Sequence, residues 1–206
     1  PIGFLLLMWP CWFALTRVTQ EQFSIYYYYI YFLIGSFLMR SAGCIINDII
    51  DIDLDKKVER TFNRPLVSKK VSLKEAILLL FLLLLCSFLI LINFSFNAVI
   101  SGLVSLPLII LYPLMKRYTH WPQIFLGLIF NWGVIIVLVE FFNFINYDLL
   151  ILYIGCIFWT LAYDTIYAYQ DRVDDIRFNI KSTAILFGSK GSTAVKFFYN
   201  IFFISI

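Results

Sequence analysis

Residues 47–65 read NDIIDIDLDKKVERTFNRP, and the apolar run IYFLIGSFLMRSAGCII at residues 30–46 leads straight into them. A segment of membrane-spanning length thus ends in four aspartates, Asp48, Asp51, Asp53 and Asp55, with Arg60 and Arg64 close behind. If the helix continues past Asn47, residues 47, 51 and 55 recur every four positions and Asp48 stands three before Asp51, so these four side chains share one stripe. Asp53 points elsewhere and reads as a solvated extra.

The setting of this stretch follows from composition. The 206 residues are 62% hydrophobic and 14% charged, whereas soluble domains run at roughly 45–50% and 25%. The fold class is therefore all-α, a polytopic transmembrane helix bundle, because the apolar runs are each about 20 residues long, as a helix crossing a hydrocarbon core of ~30 Å requires. The shorter alternating segments of a membrane β-barrel are missing from the sequence. Spans are expected near residues 1–18, 24–46, 74–93, 95–115, 123–142 and 148–169, with a seventh from about 192 that the sequence leaves at Ile206. The opening PIGFLLLMWPCWFAL has neither a basic start nor a small-residue cleavage site, so it reads as a first helix rather than a signal peptide. Cys11, Cys44, Cys86 and Cys156 all fall in apolar segments without metal-ligand spacing, and they read as small packing residues.

Charge sets the orientation. Lys and Arg collect after the second span (Lys56 to Lys74), after the fourth (Lys116, Arg117) and after the sixth (Arg172 to Lys196), while only Arg17 lies in a loop of the other set. The positive-inside rule puts the even loops and the N-terminus in the cytoplasm or the mitochondrial matrix. Both acidic clusters then lie on that side. With no linker or low-complexity segment, residues 1–206 read as one transmembrane domain.

The second cluster lies in YDTIYAYQDRVDD, where Tyr163, Tyr167, Asp171 and Asp175 recur every four residues and Asp174 is expected to face water. Two carboxylate stripes facing each other would repel unless a cation lay between them. Oxygen donors without His or Cys favour Mg²⁺, which bridges one or two carboxylates to substrate phosphates. Arg60, Arg64, Lys69, Arg172 and Lys181 would hold a polyanion. Metal, phosphate and membrane together suggest a lipid diphosphate substrate; nothing calls for nucleic acid. A solvated turn would explain either cluster alone, but two of matching spacing on one side speak against it. An EF-hand fails because Lys56 stands at its glycine position and Phe62 at its closing glutamate. A transporter of cations or anionic solutes is the alternative of a different class, and it calls for ionisable groups at midplane, whereas these aspartates sit at helix ends.

Five blocks in order, PIGFLLLMWP, MRSAGCIIND with its NDxxDxxxD pattern, RTFNRPL, YPLMKRYTHWPQ and YDTIYAYQDRVDDIRFNIKSTAILFG, carry a resemblance to the UbiA family of intramembrane aromatic prenyltransferases. The chain is most similar to its 4-hydroxybenzoate polyprenyltransferase group of ubiquinone synthesis. The resemblance implies nine spanning helices around a cavity open sideways to lipid, of which this sequence reaches the start of the seventh, so that C-terminal helices of the domain are missing. It implies transfer of a polyprenyl group from polyprenyl diphosphate to the carbon ortho to the hydroxyl of 4-hydroxybenzoate. Another acceptor within the family is the nearer alternative. The implied setting is the bacterial inner membrane, or alternatively the mitochondrial one.

By the same resemblance, Asn47, Asp48, Asp51 and Asp55 form the first Mg²⁺-diphosphate motif, and Asp171 and Asp175 the second. Asp51, Asp171 and Tyr167 are the catalytic candidates, with Asp48, Asp51, Asp55, Asp171 and Asp175 as metal ligands. Arg60, Arg64 and Lys181 would contact diphosphate, and Arg117 the carboxylate of the aromatic acid. Tyr163 and Tyr167 would present ring faces to an allylic cation. The sequence departs from the family pattern at Lys56, Val67, Lys69 and Asn179. All four are loop positions, so loop shape rather than chemistry is expected to change.

Overall fold

In the computed structural model, which describes residues 2–18, 25–58, 60–142 and 144–206, helix ends follow from the residues that flank them. A short 3-10 turn, Ile2–Phe4, leads into α1 (Leu5–Leu15), and α2 runs from Ile25–Ile50 into the four-residue α3 (Ile52–Asp55). Helix α4 (Leu73–Leu91) opens on a capping box: the Glu75 N–H donates to Ser72 Oγ at 3.3 Å, and the Ser72 N–H donates to Glu75 Oε2 at 2.7 Å. Ser95 and Asn146 cap α5 (Phe96–Tyr118) and α8 (Tyr147–Ala168) by the one-way bond alone, each accepting from a backbone N–H three residues on. Pro122 opens α6 (Pro122–Phe130), where its missing N–H costs no hydrogen bond. The remaining elements are α7 (Trp132–Phe141), α9 (Arg172–Arg177), α10 (Thr183–Phe187), a 3-10 turn at Gly188–Lys190 and α11 (Gly191–Ser205).

Among the described residues, five segments are long and apolar enough to cross a membrane: Ile25–Ile50, Leu73–Leu91, Phe96–Tyr118, Pro122–Phe141 and Tyr147–Ala168. This is a membrane protein, and the second to sixth expected spans fall within a few residues of these bounds. The first differs. Instead of a helix over residues 1–18, α1 covers eleven residues after its 3-10 turn. The fifth span is two helices, α6 and α7, interrupted at Asn131. Asn131 is fully buried, and its Nδ2 donates to Gly127 O (2.7 Å), Thr160 Oγ1 (3.0 Å) and Cys156 O (3.1 Å), which satisfies the N–H groups that hydrocarbon would otherwise leave stranded, while its Oδ1 is buried without a partner.

Helix α8 is the centre of the bundle and α4 its edge: half of the apolar stretch of α8 is buried in protein, against 6% for α4. The Leu, Ile and Phe side chains of α4 are mostly exposed, as a helix facing lipid requires. A core of Cys11, Leu15, Phe32, Val134, Leu149 and Leu152 joins α1, α2, α7 and α8. Helix α11 lies along α8, so close that a side chain at Gly155 would overlap Ser205.

Candidate functional site

The first acidic stripe forms, with one correction to its backbone. Helix α2 does not continue past Asn47 without interruption; it ends at Ile50, and Asp51 has φ −97° and ψ 5° before α3 resumes. The helical hydrogen bonds nevertheless carry across, from Asp51 N–H to Asn47 O at 2.9 Å and from Asp55 N–H to Asp51 O at 2.8 Å. Asn47, Asp51 and Asp55 therefore keep one face. Asp51 and Asp55 are buried, while Asp53 is exposed and pairs with Lys56 at 2.9 Å, as a solvated extra would.

The second stripe is less regular. Beyond α8 the turn tightens to three-residue bonds, Tyr169 N–H to Ile166 O and Gln170 N–H to Tyr167 O, before Asp171 starts α9 with φ −98° and ψ 3°. The tighter turn rotates Asp171 away from a straight continuation of Tyr163 and Tyr167. Asp175 follows on the helical bond from its N–H to Asp171 O at 2.8 Å. Burial, with a smaller contribution from the neighbouring Asp171 charge, pushes the Asp175 carboxyl up to about 6. Asp174 does not simply face water; it lines the same cavity as Asp171 and Asp175.

That cavity, about 260 Å³, brings together Asn47, Asp51, Asp55, Asp171 and Asp175 with Arg60, Arg64, Lys181 and Tyr167. Basic side chains bridge the two halves. Arg60, from the loop after α3, donates through Nε and Nη2 to both oxygens of Asp171 at 2.8 and 2.7 Å, the forked geometry in which guanidinium binds carboxylate most strongly. Arg64 donates to Asp48 at 2.8 Å and to Asp55 at 2.7 Å. Lys116 pairs with Asp51. The end of α5 is the common anchor: the Arg117 Nη2 donates to Ile50 O at 3.1 Å, the Lys181 N–H to Lys116 O at 2.8 Å, and the Lys181 Nζ to Tyr118 O at 3.0 Å. One helix terminus thus holds the ends of α2 and the loop after α9 in fixed relation.

A second, larger cavity of about 560 Å³ runs through the bundle, lined mostly by apolar side chains. It shares Asn47, Arg64, Tyr112, Asp164 and Tyr167 with the polar cavity, so the two lie side by side. Tyr163 lines this larger cavity, as do Arg40 and Asp48. Arg117 lines neither among the described residues.

Among the described residues no three carboxylate, Cys or His side chains converge as a ready-made metal cage. The donor set still suits a hard cation that takes one or two carboxylates and fills its shell from phosphate and water. Asp51 is the carboxylate this concerns most directly, because its Oδ1 is buried without a hydrogen-bond partner and has the Arg117 guanidinium 3.7 Å away.

Several residues lay outside the sequence reading. Lys116 was visible only as half of a topology-setting basic pair. Arg40 and Asp164, both inside spans, line one cavity. Their position within membrane-length runs was itself the signal.

The profile of the UbiA prenyltransferase family matches residues 7–206. The 4-hydroxybenzoate octaprenyltransferase of Marinomonas sp. (strain MWYL1) is 46% identical over 189 residues, 91% of this chain and 66% of that protein. The mitochondrial 4-hydroxybenzoate polyprenyltransferase of Caenorhabditis elegans is 45% identical over 191 residues, 92% of this chain and 54% of that one. The chain spans from about half to just under two-thirds of the length of these curated relatives. The solved structure of a UbiA homologue from Aeropyrum pernix K1 superposes with a TM-score of 0.81 at 23% identity, covering 98% of this chain and 76% of the other, so the fold is shared. With a family profile covering nearly the whole sequence, and acids and bases gathered at one end of a UbiA-type helix bundle, the chain belongs to the UbiA prenyltransferase family.

Proposed function

We propose that the protein, as one transmembrane prenyltransferase domain, transfers a polyprenyl group from polyprenyl diphosphate to the carbon ortho to the hydroxyl of 4-hydroxybenzoate. The observation that carries this reading is the pairing of cavities, one polar and rich in carboxylates and cations, the other mostly apolar and sharing part of its lining with the first. A diphosphate belongs in the first and a prenyl tail in the second. The relatives named 4-hydroxybenzoate octaprenyltransferase and polyprenyltransferase support the choice of acceptor.

Asp48, Asp51, Asp55, Asp171 and Asp175 are the side chains that would hold Mg²⁺. Bound there, the ion would neutralise charge on the leaving diphosphate. Arg60, Arg64 and Lys181 line the same chamber and supply the positive groups that bind and orient the diphosphate. As the allylic C–O bond breaks, its electron pair leaves with the diphosphate, and the ring carbon ortho to the hydroxyl forms the new C–C bond. The ring then loses the displaced proton. Asp164, at the boundary of both cavities, is the carboxylate best situated to take it. Tyr163 and Tyr167 line the larger cavity and would offer π faces to the allylic carbon, and the apolar walls exclude the water that would quench it.

Arg40 is a better anchor for the acceptor carboxylate than Arg117. It lies inside the large cavity, and its Nε is buried without a partner. Arg117 instead donates to Ile50 O at the acidic end of α2 and lies 3.7 Å from Asp51 Oδ1. The site faces the cytoplasm of a bacterial inner membrane, or the matrix in a mitochondrial one.

The test is product analysis of the full-length protein in liposomes, with 4-hydroxybenzoate and polyprenyl diphosphate, before and after chelation of divalent ions. Prenylated 4-hydroxybenzoate that disappears with chelator and returns with Mg²⁺ is expected. Solute flux without covalent product would favour a transporter instead.

A further inference from the structure

We propose that Phe94 closes the far end of the apolar cavity and fixes how many isoprenoid units of the donor the protein itself binds, with Glu140 as the residue that positions it. The proposal rests on the prenyl-transfer reading and adds a specificity determinant to it.

The cavity has a definite outer end. Along α2 it is lined from Asp48 down to Tyr31, and no described residue of α2 before Tyr31 borders it. Along α7 its last lining residue is Ile136, and at the turn between α4 and α5 it is Phe94. Seventeen residues separate Tyr31 from Asp48 in a continuous helix, so at ~1.5 Å per residue the cavity is about 26 Å deep from the acidic chamber.

The floor at that depth is aromatic and braced. The Phe94 ring packs against Tyr28, Phe32 and Tyr31, with centroids 5.1, 5.5 and 5.8 Å apart. Tyr28 also meets Phe141 at 4.8 Å. Glu140 ties the cluster together, since its Oε1 accepts from the Tyr28 hydroxyl at 2.5 Å and its Oε2 from the Ser95 N–H at 2.7 Å. One carboxylate thereby joins the start of α2, the turn carrying Phe94 and the end of α7. A charged group at the end of a membrane span is costly unless its oxygens are used, and here both are used to hold the floor.

The consequence concerns donor length. Lipid tails are as apolar as the cavity wall, so a prenyl unit gains from entering the protein only through closer packing. Units above the floor make that gain; units beyond it leave sideways into lipid and make none. The specificity constant should therefore rise with donor length up to a break and then stay level.

The experiment uses the full-length protein in liposomes with 4-hydroxybenzoate and donors from geranyl to octaprenyl diphosphate, and reads the position of the break in kcat/KM. Phe94→Ala should move the break to a donor longer by at least one isoprenoid unit. Ile90→Trp, which fills the same end of the cavity from α4, should move it to a shorter one and serves as the second probe if Phe94→Ala does not fold. Glu140→Gln should blur the break, through KM for the long donors rather than through kcat. A break that stays in place in Phe94→Ala and Ile90→Trp, or a wild-type profile with no break, overturns the proposal while leaving prenyl transfer standing. A wild-type protein that makes no prenylated product with any donor removes the transfer reading and the floor with it.

Discussion

Asp51 and Asp171 occupy equivalent points in the two halves of the site. Each follows a membrane-length helix, each has φ near −98° and ψ near 4°, and each opens a short helix that carries another aspartate four residues on. Their surroundings differ. The Asp51 side chain is 1% exposed and paired with Lys116, itself mostly buried, whereas Asp171 is 28% exposed and its partner Arg60 is 59% exposed. The first half is part of the bundle's packing, and the second is assembled near water. Matched chemistry therefore rests on unmatched foundations, and removing each carboxylate should have different structural costs.

The largest effects come from the aspartates themselves. Asp171→Ala and Asp51→Ala should each lower prenyl transfer by about 10²–10³-fold, the range for losing one preorganised electrostatic group. In unfolding measurements the two should part. Asp171→Ala should change stability by no more than about 1 kcal/mol, since exposed ion pairs contribute little. Asp51→Ala should cost roughly 3–5 kcal/mol, because it strands a largely buried lysine. Equal stability losses would contradict the assignment of one half to the core. The double variant Asp51→Leu/Lys116→Met should recover most of that stability without recovering transfer, as replacing a buried pair by apolar groups commonly does.

The arginines give a smaller version of the same contrast. Arg64 is anchored between Asp48 and Asp55, and Arg64→Ala should cost about 1.5–3 kcal/mol for the lost hydrogen bonds to charged groups. Arg60→Ala should leave stability within about 1 kcal/mol while raising KM for the prenyl diphosphate by roughly 10–100-fold. A donor titration beside a thermal melt separates the two.

Much of this plan was legible in the sequence. Apolar runs of membrane length located the second to sixth spans within a few residues, because hydropathy is a local property. Spacing by fours gathered Asn47, Asp51 and Asp55 on one face, because the helical bond survives the interruption at Asp51. The tightened turn before Asp171 was not legible. Neither Gly nor Pro marks it, and packing decides whether a chain makes a three- or four-residue bond there. Lys116 and Arg117 are adjacent and alike in charge, so only the fold distinguishes the one that enters the site from the one that holds a helix end. The departures from the family pattern at Lys69 and Asn179 were visible, and the structure supplies their meaning: both have positive φ, 57° and 55°.

Those two positions carry the smallest predicted effect, again one in each half, since Lys69 follows the first acidic motif and Asn179 the second. A left-handed backbone costs most side chains about 1–2 kcal/mol, and Gly returns roughly 0.5–1 kcal/mol of that through its freer unfolded chain. Lys69→Gly should therefore stabilise the protein by about 0.5–1 kcal/mol. Asn is among the residues that tolerate this region, through its short polar side chain, so Asn179→Gly should fall within a few tenths of a kcal/mol of zero. Both lie outside the spans and make no contact with the proposed metal ligands through their side-chain hydrogen bonds, so a rise in thermal midpoint for Lys69→Gly alone isolates backbone strain from site electrostatics. An equal gain at both positions would mean that Asn179 is strained as Lys69 is, and that the loop of the second half is held as tightly as that of the first.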